Sequence, residues 1–394
     1  MDIVNQSPKD PDFIQNPYPF YKKMREQGGV KYWMDYEKVA VFDYKTVSAI
    51  LKNPRFGREN KSYGSKKVPK HMQAFYDVEN HSLLEMEPPR HTRLRGLLVR
   101  RFAPRQIEAL ANDIKFLCHQ LIDQFCGPTV NLLPAYATKL PVIVIARLLG
   151  IPDNMSDKLL KWSNNMVMMY QVNRSRSVEE KASQSSLEFV DFLRSYIEVR
   201  RRQPADDLIT HLIRAEQNGG QLETQEMIST CILLLNAGHE ATVHTLGNGI
   251  KCLLENSFDS SLLGVSDVAV NIVEEILRYD PPLHMFTRYA YESCQLGPFE
   301  IKAGQEVALI LGSTGRDQAI WCKPDRFDPT RAFVKNKSFG GGIHFCIGAP
   351  LARLELRIAL SVLFSRFPNL KITKLPSYAN IYHFHGLNDL EVTL

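Results

Sequence analysis

Long apolar runs are missing from the 394-residue sequence. The two most apolar stretches start at Leu140 and Cys231, and each is shorter than the roughly 20 residues of a membrane-spanning helix. Arg147 also interrupts the first of them. The N-terminal residues are polar and acidic, whereas a signal peptide needs a basic end followed by an apolar segment. We therefore expect a cytoplasmic protein without a membrane span.

A strong charge of either sign is missing as well. Lys and Arg number 48 and Asp and Glu number 43, which gives a formal net charge of +5. Such a small excess argues against a dedicated nucleic-acid-binding protein. No internal repeat and no low-complexity tract is visible, which excludes solenoid and linker architectures. With 44% hydrophobic and 23% charged residues, the composition is that of an ordinary globular protein.

Cysteine is too scarce and too scattered for a disulfide framework. The seven cysteines are an odd number spread over a long chain, which indicates a reducing compartment. A buried, inert thiol is the usual role of a lone cysteine. We expect that role for Cys118, Cys126, Cys252, Cys294 and Cys322.

Helical spacing dominates the middle of the chain, from about Pro104 to Leu254. Before it, Val30–Trp33 and Val39–Phe42 flank a turn like a small hairpin, and Tyr44–Lys52 returns to helical spacing. Short strands are predicted near Glu300–Ile310. These patterns indicate a mainly α fold with minor β and no obvious domain linker.

The sharpest motif is a glycine-rich loop that delivers one cysteine to the start of a helix. It reads Phe339-Gly-Gly-Gly-Ile-His-Phe-Cys346-Ile-Gly348, and helical spacing follows at once. The backbone N–H groups and the positive dipole of a helix start lower the pKa of a nearby thiol. Glycines would also let a flat ligand lie close to the backbone. These residues predict a thiolate site, against the alternative of an inert cysteine beside a turn.

The spacing F-x-x-G-x-x-x-C-x-G resembles the haem-binding loop of the cytochrome P450 family at every fixed position. The resemblance covers nearly the whole chain, and it implies a single cytochrome P450 domain over residues 1–394. In that fold, haem b lies between a long central helix and the helix that follows the cysteine loop. Cys346 would be the axial ligand of the haem iron, with a thiolate that favours O–O cleavage. Phe339, Gly348 and Ala237 would lie beside the cofactor.

Further motifs of the same family occur in the expected order. Glu275 and Arg278 form an i,i+3 pair followed by Arg326, which resembles the buried Glu–Arg–Arg network that fixes the cysteine loop. Four basic residues match the positions at which the family holds the haem propionates. Basic side chains suit this role, and an arginine can bind a carboxylate with two hydrogen bonds. These residues are His91, Arg95, Arg288 and His344.

The predicted central helix carries A-G-H-E-A-T at 237–242, which resembles the family's oxygen-activating signature. By that resemblance Gly238 leaves room for oxygen and Glu240 feeds a proton relay. The usual alcohol is replaced by Ala241, and Thr242 sits about 100° further round the helix. Three explanations stay open. A substrate hydroxyl with ordered water completes the relay, a kinked helix lets Thr242 or His239 substitute, or the protein consumes peroxide or needs no such relay.

The same segment can be misread as a zinc-protease helix. A zinc site of the H-E-x-x-H type needs two histidines four residues apart, on one face of the helix. His239 and His244 are five residues apart, which separates them by about 140°. We expect a core histidine at 239 and a packed or surface histidine at 244.

By resemblance, the substrate pocket draws on variable segments around the haem face. No charged residue in these segments is a clear anchor, which favours an apolar ligand. Methionine at helical spacing is more often core than pocket lining, although its flexibility suits a bulky ligand. The candidates are the loop Tyr63–Leu84 and Met168, Met169, Leu233, Leu234, Leu283, Met285, Phe286 and Phe384.

A group of arginines occurs in segments that the family places on the cysteine side of the haem, where electrons enter. A basic surface would attract an acidic ferredoxin or flavodoxin in a salt-dependent encounter. No G-x-G-x-x-G fingerprint opens a helix after a strand, so a separate reductase would supply electrons from NAD(P)H. We expect a monomer with no nucleic-acid and no membrane partner. The arginines are Arg93, Arg100, Arg101, Arg105, Arg353 and Arg357.

The resemblance implies a haem-thiolate monooxygenase that hydroxylates or epoxidises an apolar small molecule with O₂. The substrate classes it suggests are natural products, terpenoids, steroids and lipids, including molecules that carry a hydroxyl group. The alternatives are a peroxide-using haem-thiolate enzyme and a non-catalytic binding or sensor protein, which Ala241 makes conceivable. The presence of Glu240 close to Gly238 favours an enzyme over a binding or sensor protein.

Overall fold

Helices form most of the chain in the computed structural model, which describes residues 2–60, 68–171, 174–217, 222–256 and 258–394. The chain divides into two compact units. The first comprises Met1–Ser62, Glu108–Ala137 and Ala241–Leu394, and the second comprises Tyr63–Ile107 and Thr138–Glu240. The expectation of one domain over residues 1–394 stays a prediction.

The β-sheets of the described chain all lie in the first unit. In the hairpin, Val30 pairs with Val41, and the turn is a 3₁₀ helix closed by Glu37 in the left-handed region, with φ of 50°. The six-stranded sheet has the order Ile3–Val4, Val30–Trp33, Lys38–Val41, Glu306–Leu309, Phe286–Ala290, Phe56–Gly57. A second sheet joins Lys371–Ile372, Glu391–Thr393 and Thr129–Asn131, and a third joins Cys294–Leu296 and Phe299–Ile301.

Alternate residues of the strands enter two different cores. Val39 and Val41 belong to an aliphatic cluster with Val307 and Leu309. Ala40 belongs to an aromatic cluster whose members include Phe13, Tyr21, Trp33, Phe42 and Tyr382. Because successive strand residues point to opposite faces, both faces of the large sheet are covered by apolar side chains.

The helices of the first unit begin and end at recognisable signals. The predicted helix Tyr44–Lys52 forms with those bounds, and the Asp43 carboxylate caps it by accepting the Thr46 N–H at 2.8 Å. The other α-helices are Pro11–Gln15, Tyr18–Glu26, Ala111–Ile122, Ser266–Tyr279, Leu311–Thr314 and Ala349–Arg366. Short π or 3₁₀ turns occur at Leu133–Ala137, Ser260–Gly264 and Gly342–His344.

The second unit is helical. Its helix Lys139–Leu149 ends at Gly150, which has a left-handed φ of 86°. The Gly150 carbonyl accepts hydrogen bonds from the side chains of Tyr196 and Arg200 instead of continuing the helix. The remaining α-helices are Gln73–Glu79, Arg90–Val99, Pro104–Glu108, Ser156–Val167, Arg176–Arg202 and Leu208–Gln217. 3₁₀ helices occur at Lys70–Met72, Asp153–Met155 and Met168–Tyr170.

The longest helix, Thr224–Glu255, is the central helix, and the division between the two units falls after Glu240 within it. Most of its residues are buried, as its apolar sequence predicts. Among the described residues, no helix combines the length and the apolarity that crossing a bilayer requires. The mainly α architecture with minor β is confirmed.

Candidate active site

The glycine-rich loop before Cys346 follows a path that favours glycine at two positions. Gly340 and Gly342 have φ of 69° and 67°. A Cβ at Gly342 would collide with the carbonyl oxygen of Leu51, and a Cβ at Gly340 would lie 3.1 Å from a ring carbon of Phe286. The sequence attributed these glycines to the approach of a flat ligand. That expectation stays a prediction, and the chain's own atoms already favour glycine at 340 and 342.

Cys346 lies three residues before Ala349–Arg366, the post-cysteine helix. Its N–H donates to the Phe339 carbonyl at 3.0 Å, which closes the loop, and its side chain is exposed. At Gly348, a Cβ would meet a single described atom within 4 Å, the Cys346 sulfur at 3.9 Å. The exposed sulfur lies just before the N-terminus of this helix, and the positive end of a helix dipole stabilises a thiolate.

The other cysteines lack this setting. Burial raises the pKa of Cys118 and of Cys231 to about 12, so both thiols stay protonated. Cys126 and Cys322 are exposed, and our expectation of burial was wrong for these two. Among the described residues, which include all seven cysteines, no disulfide forms. Cys346 is therefore the cysteine whose thiol lies just before the N-terminus of a long helix.

Charged side chains hold the two ends of the cysteine loop. Glu274 pairs with Arg353 of the post-cysteine helix and accepts from the Asn336 amide at 3.0 Å. The Arg353 guanidinium also covers the Phe339 ring at 4.6 Å from its centroid. Glu274 was not predicted from the sequence, where it is one acidic residue of a helix without a distinguishing motif.

A buried ion pair on the helix Ser266–Tyr279 also contacts the segment before the loop. Arg278 grips Glu275 with two hydrogen bonds of 2.6 and 2.7 Å, and both side chains are buried. Arg278 also donates to the carbonyls of Pro324, at 2.8 Å, and Arg326, at 3.0 Å. These contacts tie the two segments together.

The third member of the network differs from the prediction. Arg326 exposes its side chain and contributes its backbone carbonyl. The guanidinium of Arg331 takes the predicted place, with its Nε 3.2 Å from Glu275 and further bonds to the carbonyls of Lys323 and Arg326. Sequence spacing could not separate two arginines five residues apart in an irregular segment.

The four predicted propionate ligands fall in both units. In the first unit, Arg288 is 2% exposed, lies on the strand Phe286–Ala290 and donates to the Thr287 carbonyl at 2.7 Å. His344 is half-buried in the 3₁₀ helix of the cysteine loop. In the second unit, His91 is buried and Arg95 half-buried, one turn apart on the helix Arg90–Val99. All four side chains can bind an anion.

One stripe in the middle of the largely buried central helix is accessible. Leu233, Ala237, Ala241 and His244 recur at helical spacing, and Ala237 is exposed while the others are half-buried. Glu240 is also half-buried, but Thr242 lies off the stripe and is 6% exposed. A Cβ at Gly238 would make ordinary contacts with Ile145 at 3.5 Å, so packing within this unit does not require glycine there. The apolar residues of this stripe, with one carboxylate beside them, suit a flat cofactor and a proton relay.

The histidines of the central helix are packed residues. His239 is 1% exposed, and its ring nitrogens lie 3.0 Å from the Leu235 carbonyl and 3.3 Å from the Asn164 amide oxygen. His244 lies beside Phe384, with 6.0 Å between ring centroids. Within the described ranges, neither histidine belongs to a group of three metal-ligating side chains. The positions agree with a core histidine and a packed histidine.

The predicted pocket residues divide into accessible and core positions. Leu283 pairs with Phe384 across an isolated β-bridge, and both are half-buried, as are Met168 and Leu233. Met169 and Leu234 are buried. Met285 packs in the aromatic core, and the half-buried Phe286 packs against the aliphatic core and Gly340. Their place in the pocket stays a prediction. Residues 63–67 of the predicted pocket loop lie outside the described residues.

Comparison with known proteins identifies the family. The family model "Cytochrome P450" matches residues 268–384, the segment that contains Glu275, Arg278, Arg288 and Cys346. The biotin biosynthesis cytochrome P450 of Bacillus subtilis (strain 168) is 32% identical over 398 residues, covering 99% of both chains. The 6-deoxyerythronolide B hydroxylase of Saccharopolyspora erythraea is 34% identical over 366 residues, covering 90% of this chain and 89% of its own.

A solved cytochrome P450 structure is similar to this chain over almost its whole length. The crystal structure of P450BioI in complex with an acyl carrier protein ligated to hexadec-9Z-enoic acid has a TM-score of 0.91 to this chain at 33% identity. The match covers 98% of this chain and all of the other. The likeness therefore extends through both units and is not limited to the cysteine loop.

Proposed function

We propose that this chain, which belongs to the cytochrome P450 family, oxygenates an apolar acyl or polyketide-type substrate. We also propose that a hydroxyl group of this substrate completes proton delivery. The chain is a cytochrome P450 monooxygenase with haem b, and its electrons come from NAD(P)H through redox partners. The bound haem supplies the binding and activation of O₂. We also propose that residues 1–394 form one catalytic domain.

The exposed thiol of Cys346 carries this proposal. Its position at the head of the post-cysteine helix favours the thiolate that ligates haem iron. His91, Arg95, Arg288 and His344 would hold the propionates. Phe339, Gly348 and Ala237 would lie against the ring.

Proton delivery is proposed to depend on Glu240 and on a hydroxyl from the substrate. Position 241 lies on the accessible stripe but has no hydroxyl, and Thr242 is buried. The Thr245 hydroxyl is already bonded to the Ala241 carbonyl at 2.7 Å. A substrate hydroxyl near position 241 would supply the missing donor, with Glu240 as the source of protons.

A pair of similarly sized substitutions tests the hydroxyl. Ala241→Thr restores an alcohol, and Ala241→Val adds similar bulk without one. For a substrate that lacks a hydroxyl, we expect Ala241→Thr to raise product formed per NAD(P)H consumed several-fold above Ala241→Val. Equal values in the two variants would contradict the proposed role of the substrate hydroxyl.

The proposed substrate class follows from the pathways and substrates of the relatives. One relative acts in biotin biosynthesis, another hydroxylates 6-deoxyerythronolide B, and P450BioI was crystallised with a fatty acyl carrier protein. We therefore propose long acyl chains, free or bound to a carrier protein, and related lactones as first candidates. A ligand screen that follows the Soret shift, with steroids and terpenes as competing classes, tests this choice.

Reduced protein under carbon monoxide tests the thiolate directly. We expect the red-shifted band of a haem-thiolate in wild type and in Cys126→Ser, which changes another exposed cysteine. Cys346→Ser should lose that band while its far-UV circular dichroism is retained. An unchanged band in Cys346→Ser would overturn the assignment.

Turnover assays separate the alternatives. Product formation with ferredoxin or flavodoxin, reductase and NAD(P)H supports the monooxygenase. Turnover with peroxide alone would favour the peroxide-using enzyme. A thiolate band without turnover under either condition would favour a binding or sensor protein.

A further inference from the structure

The first unit buries a cluster of ligating side chains that does not include Cys346, formed by Asp280, His284 and His385. Their exposed fractions are 2%, 0% and 2%. One ligand atom from each residue lies within 4.8 Å of the other two, and no other group of three His, Cys, Asp or Glu side chains among the described residues has this arrangement. His385 Nε2 is 3.3 Å from Asp280 Oδ1.

Two ring nitrogens of this cluster lack a hydrogen-bond partner. Nε2 of His284 and Nε2 of His385 are both buried and make no hydrogen bond within the described chain. The approach of His385 to Asp280 is close enough for an ion pair but is not aligned as a hydrogen bond. A buried polar atom without a partner destabilises a fold by about 1–3 kcal/mol. A ligand that accepts nitrogen lone pairs would remove this cost.

Three tyrosines surround the cluster in the way that outer ligands surround a metal ion. The Tyr21 hydroxyl lies 2.8 Å from His284 Nδ1, which leaves Nε2 as the ligating atom. Tyr18 donates to Asp280 Oδ1 at 2.6 Å, and Tyr378 donates to Oδ2 at 2.5 Å. Metal-bound histidines and carboxylates are usually oriented by hydrogen bonds of this kind.

Two cations near the cluster oppose a bound metal ion. The Arg316 guanidinium lies 4.1 Å from the Tyr18 ring centroid, and the Lys251 ammonium lies 5.4 Å from that of Tyr378. Each has its own carboxylate partner, Asp325 at 3.2 Å and Glu255 at 2.7 Å. These pairs weaken the repulsion.

We propose that Asp280, His284 and His385 bind one Zn²⁺ ion. Two imidazoles and a carboxylate form a ligand set that suits zinc, whereas Mg²⁺ and Ca²⁺ prefer oxygen ligands. Ligands about 2.0–2.2 Å from a tetrahedral ion lie roughly 3.3 Å apart, which matches the distance between His385 and Asp280. The Tyr18 and Tyr378 hydroxyls offer further oxygen donors.

The position of the cluster makes this a stabilising site. Asp280 caps the C-terminal end of the helix Ser266–Tyr279, and His385 belongs to the C-terminal segment of the chain. The backbone N–H of His385 donates to the Pro282 carbonyl at 2.8 Å. Zinc would add a further link between these two segments, which are far apart in sequence. Because the site is closed to solvent, the ion must enter during folding.

Metal analysis of the untagged holoenzyme tests the proposal. The protein is produced in zinc-supplemented medium, washed with EDTA, and its zinc and haem iron are measured by mass spectrometry. We expect one zinc per haem iron in wild type and in His81→Asn, which changes a histidine outside the cluster. His385→Asn and His284→Asn should contain at least ten-fold less zinc, with the Soret band retained.

A milder variant keeps the test decisive if those proteins fail to fold. Tyr21→Phe removes only the hydroxyl beside His284, and we expect zinc affinity to fall about 10-fold or more in refolding titrations with Zn²⁺. Zinc below one tenth of the haem iron in wild type would overturn the proposal. Equal zinc in wild type and the cluster variants would show adventitious surface binding and would overturn it as well.

Discussion

Arg331 and Arg326 belong to the same loop but have different surroundings. Arg331 donates to buried Glu275 and to backbone carbonyls, whereas the Arg326 side chain is exposed. We expect Arg331→Ala to lower the free energy of unfolding by about 2–3 kcal/mol, less than a fully broken buried pair, because Arg278 still holds Glu275. Arg326→Ala should change it by less than about 0.5 kcal/mol. Urea unfolding followed by circular dichroism measures both, and equal losses would contradict these roles.

Glu355 on the post-cysteine helix makes stability depend on pH. It is 2% exposed, its Oε2 lacks a hydrogen-bond partner within the described chain, and burial raises its pKa well above the usual value. The folded state keeps a proton that the unfolded state releases above about pH 4.3. Stability is therefore full below that pH and falls as pH rises towards the folded pKa, by up to about 1.4 kcal/mol per pH unit.

Glu355→Gln keeps the size of the side chain and removes this titration. We expect the variant to gain stability relative to wild type as pH rises from about 5 to 8. Thermal unfolding of both proteins across this range provides the measurement. A difference in stability that stays constant with pH would contradict a buried, protonated Glu355.

Among the elements, the cysteine loop depends most on its glycines. At Gly342, a Cβ would collide with the Leu51 carbonyl, and φ is 67°. We expect Gly342→Ala to reduce haem content several-fold and to lower stability by about 1–3 kcal/mol. Gly96→Ala is the matched control, since a Cβ there meets no described atom within 4 Å on the helix Arg90–Val99. Loss of haem in both variants would contradict a specific role for the loop.

Local patterns predicted the elements better than they predicted contacts. The hairpin and the helix Tyr44–Lys52 follow from alternation and spacing. The helix forms with the predicted bounds, whereas the second strand of the hairpin is Lys38–Val41 and begins one residue before the predicted Val39–Phe42. The burial of Met285 in the aromatic core could not be predicted, because the order of strands Lys38–Val41, Glu306–Leu309 and Phe286–Ala290 is set by pairing over long sequence distances.

The same limit applies to the site. The cysteine motif is a short contiguous pattern, so the sequence contains its whole signal. Glu274 and Arg331 act through tertiary contacts with Arg353 and Glu275, and no local spacing distinguishes them from surface charges. The reason for Gly342 was also missed, since Leu51 approaches it from a distant part of the chain.

Across the whole molecule, ion pairs with carboxylates neutralise part of the basic surface that the sequence predicted. Four of its arginines have carboxylate partners: Arg93 with Glu226, Arg101 with Asp206, Arg353 with Glu274 and Arg357 with Glu108. Arg100 and Arg105 are exposed in the second unit. Since paired charges attract a partner less strongly, these two residues become the first candidates for steering an acidic redox protein.

Reversing these two charges tests whether the basic surface recruits the electron donor. We expect Arg100→Glu combined with Arg105→Glu to raise the KM for an acidic ferredoxin about 5- to 20-fold at low salt, with little change in the thiolate band. The effect should shrink as salt rises towards about 0.5 M, because exposed charges are screened over shorter distances. Lys371→Glu, an exposed position on the small sheet, is the control and should change KM little. A loss of rate that persists at high salt would instead indicate damage to the fold, and an unchanged KM would place the docking surface elsewhere.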